Sequence, residues 1–173
     1  MRFTIAAVGR IGGGRPNRGT SSHARGGSPA RGKGSEARAL FDGYAGRLSV
    51  PLALKACEEK RPLPPAERKR SEAERLFKLV PQGALVVALD QRGKAYTSAE
   101  FARLVGSWRN RGAKDVCFLV GGADGLDDSA LSRAALVLSL GPMTWPHLLV
   151  PALLAEQLYR AESILAGHPY HRE

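Results

Sequence analysis

The sequence predicts an α/β fold in which a mostly parallel sheet is flanked by helices. Short apolar runs of strand length alternate along the chain with longer segments whose apolar residues recur every three or four positions. The runs at 84–89, 116–120 and 136–140 are almost wholly apolar, which is typical of parallel strands covered on both faces. Strands that alternate with helices indicate crossover connections and therefore parallel pairing.

The first strand, at 2–8, is followed by a polar segment with almost no large apolar side chains. Residues 10–35 consist mainly of Gly, Arg, Ser and Pro. Such a segment buries too little apolar surface to offset the entropy lost on ordering. We therefore expect a flexible, basic insertion at about 10–35 within a single domain of residues 1–173.

The remaining elements follow from apolar periodicity and from helix start and stop signals. Pro64 and Pro65 suit the first turn of a helix, where a missing N–H costs little. We expect Ser98 to cap a later helix, and the segment from Asp90 to Lys94 to form a turn before it. The expected order is helix 36–47, strand 50–57, helix 66–80, strand 84–89, helix 98–110, strand 116–120, a short helix, strand 136–140 and helix 147–166.

The positive charge is concentrated in the amino-terminal part of the chain. The formal net charge is +10, and residues 1–75 hold 16 Lys and Arg against 7 Asp and Glu. Nucleic acid is a natural partner for such a surface, although an anionic membrane or simple solubility would also explain the charge. No apolar run approaches the roughly 20 residues that span a bilayer. With Cys57 and Cys117 expected as free thiols in apolar surroundings, we predict a cytoplasmic protein with no membrane association.

Several common reaction classes lack their sequence motifs. Glycines 12–14 follow the first strand, but Pro16 and Asn17 break a dinucleotide fingerprint, and no GxxxxGK[ST] motif occurs. His168 and His171 have no Cys or carboxylate cluster at ligand spacing, so we expect no metal. Neither thiol has an adjacent His and no GxSxG motif is present, so no covalent nucleophile is indicated.

Three loops and the chain terminus carry the groups best suited to binding. The loops at 90–94, 121–125 and 141–146 follow buried strands, and ligands of parallel sheets usually lie beyond the carboxyl ends of the strands. Their glycines would let the backbone approach a ligand, although such a cluster can equally form a tight turn. Residues 167–173 combine an aromatic ring, two imidazoles and a guanidinium. These groups suit base stacking and phosphate contact, with a solvated tail as the equal alternative.

Short motifs recur in a fixed order over residues 84–173, and together they are similar to one known family. In chain order they are Ala88-Leu89-Asp90 with Gly93-Lys94, Phe118-Leu119-Val120-Gly121-Gly122 with Gly125-Leu126, Leu138-Ser139-Leu140 leading to Thr144, Pro146 and His147, then Glu156, Leu158-Tyr159-Arg160-Ala161, Ile164 and His168-Pro169-Tyr170-His171-Arg172-Glu173. This series resembles the small SPOUT methyltransferases, which methylate N3 of a pseudouridine in bacterial 23S ribosomal RNA.

The resemblance implies a sheet whose carboxy-terminal part forms a trefoil knot, a homodimer, and S-adenosyl-L-methionine as methyl donor. The chain departs from the family pattern at Ala123, where proline is usual, and at Gly141-Pro142 with Trp145, where a more aliphatic loop is usual. The largest departure is the insertion at 10–35. This insertion either adds RNA affinity or is a tolerated surface loop. Carried over by position, the resemblance places around the cofactor Leu89, Gly122, Leu140, Gly141, Pro142, Met143, Thr144 and Trp145.

The expected reaction is methylation of 23S ribosomal RNA in the assembled ribosome, at a nitrogen that must lose its proton before it attacks. We expect His171 to accept or relay that proton and Arg172 to contact phosphate or the developing anion. Substrate contacts are expected from Tyr170, Arg160 and His147, although His147 has an equally good interpretation as a capping or packing residue. The alternatives are a noncatalytic basic RNA-binding or ribosome-associated protein, and a SPOUT methyltransferase that acts on tRNA.

Overall fold

The computed structural model describes residues 1–9 and 35–168. In these residues, five strands form one sheet in the order β2-β1-β4-β3-β5. Each pair of neighbouring strands is parallel, which confirms the predicted α/β class. The strands are β1 (Arg2–Val8), β2 (Leu52–Cys57), β3 (Leu85–Ala95), β4 (Asp115–Val120) and β5 (Leu136–Ser139).

Helices cover both faces of the sheet, because alternate residues of the central strands point to opposite sides. Phe3 and Ile5 of β1 pack with the helices of one face, whereas Ala6 and Val8 pack with those of the other. The first face carries α1 (Ser35–Ala45), α3 (Ser98–Asn110) and α5 (Val150–Leu165), and the second carries α2 (Pro65–Phe77) and α4 (Asp128–Arg133). None of the helices in the described part of the chain is long and apolar enough to cross a bilayer.

Both cysteines are free thiols, as the sequence predicts. Cys117 is fully buried in the central strand β4, and burial raises the pKa of its thiol to about 11. Cys57 ends β2 and is only partly buried, and burial raises the pKa of this thiol as well. Neither thiol is therefore activated as a thiolate.

The turn expected at Asp90 to Lys94 is wrong, because β3 continues to Ala95. Residues 87–89 pair with 136–138 of β5, the register then shifts, and Lys94 pairs again with Leu138. Residues 90–93 therefore lie outside the β3–β5 ladder, and β3 then pairs with β5 again. Gly93 makes this possible: a Cβ on it would lie 2.6 Å from the carbonyl oxygen of Val137, so β5 passes directly against its backbone.

Three further details differ from the sequence-based expectation. Thr97, not Ser98, caps α3, because the Thr97 side chain accepts from the Glu100 N–H while the Glu100 carboxylate accepts from the Thr97 N–H. The last helix begins at Val150 rather than at residue 147. The apolar periodicity of this helix predicts Leu165 on its core face, but Leu165 is 42% exposed because it lies in the final turn, beyond the buried stripe.

We predict that Gly93→Ala lowers the free energy of unfolding by about 3 kcal/mol, because the atoms that its Cβ would meet are backbone atoms of β5 and cannot rotate away. Urea denaturation measures the change. Gly43→Ala in α1 is the matched control: its Cβ meets nothing within 4 Å, and we expect it to raise stability by about 0.5 to 1 kcal/mol. Equal stability of Gly93→Ala and the unsubstituted protein would contradict the close crossing of β3 and β5.

Candidate active site

A cleft of about 700 Å³ lies at the carboxyl ends of β4 and β5, beside residues 89–92 of β3. We call it the main cleft. Parts of all three segments singled out from the sequence line it: Asp90 to Arg92 within β3, Gly121 to Gly125 after β4, and, apart from Pro142, Leu140 to His147 after β5. Parallel pairing explains the convergence, since the carboxyl ends of parallel neighbours lie at the same edge of the sheet.

Most of the residues predicted to hold the cofactor meet in the main cleft. Pro142 is the exception: it belongs to the same loop but is exposed and does not line the cleft. The apolar rim is open to solvent, with Met143 68% and Trp145 38% exposed. The predicted residues that line the main cleft are Leu89, Gly122, Leu140, Gly141, Met143, Thr144 and Trp145.

Two glycine turns shape the floor of the cleft. A Cβ on Gly121 would lie 2.6 Å from the carbonyl carbon of Gly125, so this turn closes only without a side chain at that position. The Gly125 N–H donates to the Gly122 carbonyl at 3.0 Å, and Gly125 has φ +78°. In the next loop, Gly141 has φ +107° and its N–H donates to Ser139 Oγ at 3.2 Å. These left-handed conformations favour glycine, so the sequence dictates both turns.

The acidic side chains at the main cleft are held by arginines. Arg92 Nε lies 2.9 Å from Asp90 Oδ1, and this hydrogen bond is the main reason that the pKa of Asp90 lies below its ordinary value. The same guanidinium reaches Asp128 at 3.2 Å. Arg68 of α2 contacts Asp124 at 2.5 Å. The carboxylates of Asp90 and Asp124 are therefore neutralised by neighbours within the fold.

A buried carboxylate that no sequence motif indicated lies directly behind the Gly122 loop. Glu72 of α2 is 8% exposed, and no hydrogen bond to its carboxylate is found among the described residues. Its Oε2 lies 3.2 Å from the position of a Cβ on Gly122. Burial raises the pKa of Glu72 above its ordinary value, against the opposing effect of Arg68. The available signal was its position one turn before the buried Leu76, on the apolar face of α2.

The predicted substrate residues do not all lie together. His147 lines the main cleft, with Nε2 3.5 Å from the position of a Cβ on Gly9. Arg160 lies farther along α5, where it pairs with Glu156 at 2.6 Å. Glu156 lines a second cleft of about 410 Å³ between α3 and α5, which we call the side cleft. The two clefts share Trp145 and the segment from Leu138 to Gly141.

The remaining predicted residues, Tyr170, His171 and Arg172, lie outside the described residues. The helix that precedes them can still be followed. It starts beside the main cleft and ends at the opposite edge of the sheet, where the Glu162 carboxylate accepts from the Ser49 N–H at 2.8 Å. Ser49 precedes β2, so it lies at the amino-terminal edge. Residue 168 therefore lies at the far end of the domain from the main cleft.

The residues of the main cleft fit an adenosine-containing cofactor better than a metal. Leu89, Leu140 and Trp145 supply an apolar wall, and the bare backbone at Gly122 and Gly141 can meet polar groups of a ligand closely. The volume suits a ligand of nucleoside size. Among residues 1–9 and 35–168, no group of three His, Cys, Asp or Glu side chains is arranged to hold a metal ion. These features define an α/β protein whose ligand site lies beyond the carboxyl edge of its parallel sheet.

Comparison with known proteins agrees with this class. The family model described as "Predicted SPOUT methyltransferase" matches residues 29–171. Proteins named Ribosomal RNA large subunit methyltransferase H from Rhodospirillum centenum, Paramagnetospirillum magneticum and Rhodospirillum rubrum are 52%, 54% and 53% identical to the chain, each over 99% of both sequences. The chain therefore belongs to the SPOUT methyltransferase family. It is a methyltransferase, and its family uses S-adenosylmethionine and has a fold that implies a trefoil knot.

We predict that Glu72→Gln stabilises the protein at pH 7.5 and that the gain is smaller at pH 5. The folded-state pKa of Glu72 is raised, so the charged form is disfavoured in the fold at any pH above its unfolded pKa of about 4.3, and the difference shrinks as both states become protonated. Urea denaturation at the two pH values measures the effect. Glu74→Gln, an exposed neighbour on α2, is the control. A gain that grows toward low pH would contradict the burial of a raised-pKa carboxylate.

Proposed function

We propose that this protein transfers the methyl group of S-adenosyl-L-methionine to N3 of a pseudouridine in 23S ribosomal RNA, on the assembled ribosome in the cytoplasm. The observation that supports it most is the convergence of three segments that are distant in sequence, around Leu89, Gly122 and Leu140, in one cleft of suitable size. The names and full-length similarity of the relatives support the same substrate class.

The proposed chemistry depends mainly on positioning. The bound cofactor supplies a methyl group activated by a sulfonium. Leu140 and Trp145 would pack against its adenosine part, and the backbone at Gly122 and Gly141 would orient its polar groups. His147, at the opening beside Gly9, would contact the RNA substrate. No covalent attachment to the protein is needed.

The target nitrogen must lose its proton, and we propose that the carboxy-terminal tail handles it. His171 would accept the proton, Arg172 would stabilise the resulting anion or a phosphate, and Tyr170 would pack against the base. Arg160, held by Glu156 in α5, would contribute a phosphate contact. These roles agree with the chemistry of the side chains.

The direction of α5 supports a site completed by a second copy of the chain. The helix has 16 residues, so it carries the chain about 24 Å away from the main cleft. His171 lies only three residues beyond His168, a span of at most about 11 Å. A tail that starts at the far edge of its own domain cannot return to its own main cleft over that length. We therefore propose a homodimer in which the tail of one protomer serves the main cleft of its partner.

The rival functions make different use of the main cleft. A noncatalytic RNA-binding or ribosome-associated protein would need a basic surface but no apolar cleft at the Gly122 and Gly141 loops. A tRNA methyltransferase would keep the cleft and differ in its RNA target. No contact among the described residues favours tRNA.

We expect the purified protein to bind S-adenosylmethionine in isothermal titration calorimetry, and ribosomal RNA from cells that lack it to have lost one N3-methylpseudouridine. Mass spectrometry of nucleosides, with mapping of the position, measures the loss. Restoring the gene is the control. No cofactor binding would favour the binding protein, whereas a lost methyl group in tRNA with intact ribosomal RNA would favour the tRNA enzyme.

We also predict complementation between two inactive variants. His171→Ala removes the proposed proton acceptor, and Trp145→Asp puts a carboxylate in the main cleft at a position that is already 38% exposed. If tails act across the dimer, an equal mixture of the two, refolded together, forms one intact site in each mixed dimer and recovers about a quarter of the unsubstituted activity. Methyl incorporation into ribosomes lacking the modification measures this. If each tail serves its own protomer, mixing recovers none.

A further inference from the structure

Lys69 lines the main cleft, although it belongs to none of the sequence motifs that predicted the site. It lies in the second turn of α2 and is partly buried. Within residues 1–9 and 35–168, no carboxylate forms a salt bridge with its ammonium group, whereas Arg92, the arginine of the same cleft, contacts two carboxylates. A partly buried ammonium without a counter-ion carries a desolvation penalty that an anionic ligand group would relieve.

The carboxylates nearest to Lys69 are already engaged. Asp90 is bound by Arg92, and Asp127 caps α4 by accepting from the Ser129 N–H at 3.0 Å. The charge of Lys69 helps to lower the pKa values of Asp90 and Asp127, which places it near both, but neither reaches salt-bridge distance. Its ammonium is therefore available to a group that enters the cleft.

The position of Lys69 relative to the apolar wall indicates which part of a ligand it would meet. The apolar wall formed by Leu89, Leu140 and Trp145 comes from β3 and from the loop after β5, whereas Lys69 comes from α2, which packs on the second face of the sheet. S-adenosylmethionine has a matching division: a flat, largely apolar adenosine part, and a methionyl part that ends in an α-ammonium and an α-carboxylate group. If the adenosine part packs on the wall, the methionyl group extends toward Lys69.

We propose that Lys69 binds the α-carboxylate of the methionyl group of S-adenosylmethionine through a charge-assisted hydrogen bond. This inference rests on the proposed function, because it assigns a specificity residue within the same cofactor site. Lys69 discriminates S-adenosylmethionine from adenosyl compounds that lack the amino-acid carboxylate. Its contribution is to cofactor binding, and it takes no part in the proton transfer.

The test compares two ligands that differ only in that carboxylate: S-adenosylmethionine and decarboxylated S-adenosylmethionine. Calorimetry is done on the full-length protein and on Lys69→Met. We expect Lys69→Met to bind S-adenosylmethionine about tenfold more weakly and to bind the decarboxylated compound with unchanged affinity. Arg70→Met is the matched control, because it removes the same charge from the next residue, which is exposed and does not line the cleft. It should leave both affinities unchanged.

Lys69→Arg keeps a cation and is expected to retain most of the affinity for S-adenosylmethionine. Because it also replaces Lys69, it separates the loss of the charge from a folding defect caused by any substitution at this position. Equal weakening for both ligands in Lys69→Met would overturn the proposal, because the side chain would then act on the shape of the cleft. Unchanged affinity for S-adenosylmethionine with weakened RNA binding would also overturn it and would make Lys69 a phosphate contact. If the unsubstituted protein binds neither ligand, the proposed function fails as well, which separates the two conclusions.

Discussion

The parallel pairing of β3 with both β4 and β5 is the constraint on which the site depends. Because Leu89 pairs with Val120 on one side and with Leu138 on the other, residues 89–92 of β3 and the loops after β4 and β5 meet at one edge of the sheet. The register of β5 in turn requires Gly93, whose missing side chain lets the backbone of Val137 pass. A shift in the pairing of β3 with β5 would move the loop that carries Leu140 and Trp145 relative to the loop at Gly122. The width of the main cleft would therefore change.

Charged side chains lie both at the rim of the main cleft and behind its wall. The guanidinium groups of Arg92 and Arg68 neutralise the carboxylates of Asp90 and Asp124, so the rim presents little net negative charge to an anionic substrate. Behind the rim, Glu72 lies buried against Gly122 with a raised pKa, at a position where its charge is costly to the fold. Lys69 is left as a cation in the cleft itself. Such an arrangement favours a cofactor and a substrate that both carry negative groups.

The long helix α5 separates two parts of the proposed reaction in space. Its start lies beside the cleft that would hold the methyl donor, and its end is tied by Glu162 to Ser49 at the opposite edge. Arg109 Nη2 lies 3.6 Å from the same carboxylate, so α3, α5 and the segment before β2 meet there. In the proposed homodimer, donor binding and proton chemistry would lie on different copies of one chain.

Local patterns in the sequence determined the fold class, the order of the elements and the glycine turns after β4 and β5, because strand runs, helix periodicity and turn glycines each act over a few residues. Gly122, Leu140 and Trp145 were placed around the cofactor by the resemblance to the SPOUT family, and the structure brings them into one cleft. Thr97 could also have been identified from the sequence as the cap of α3, since Glu100 follows it at the spacing of a capping box. The continuation of β3 to Ala95 and the positions of Lys69 and Glu72 beside the Gly122 loop were decided only by tertiary structure. Strand order and register set those distances, and they arise from packing between segments that no local pattern relates.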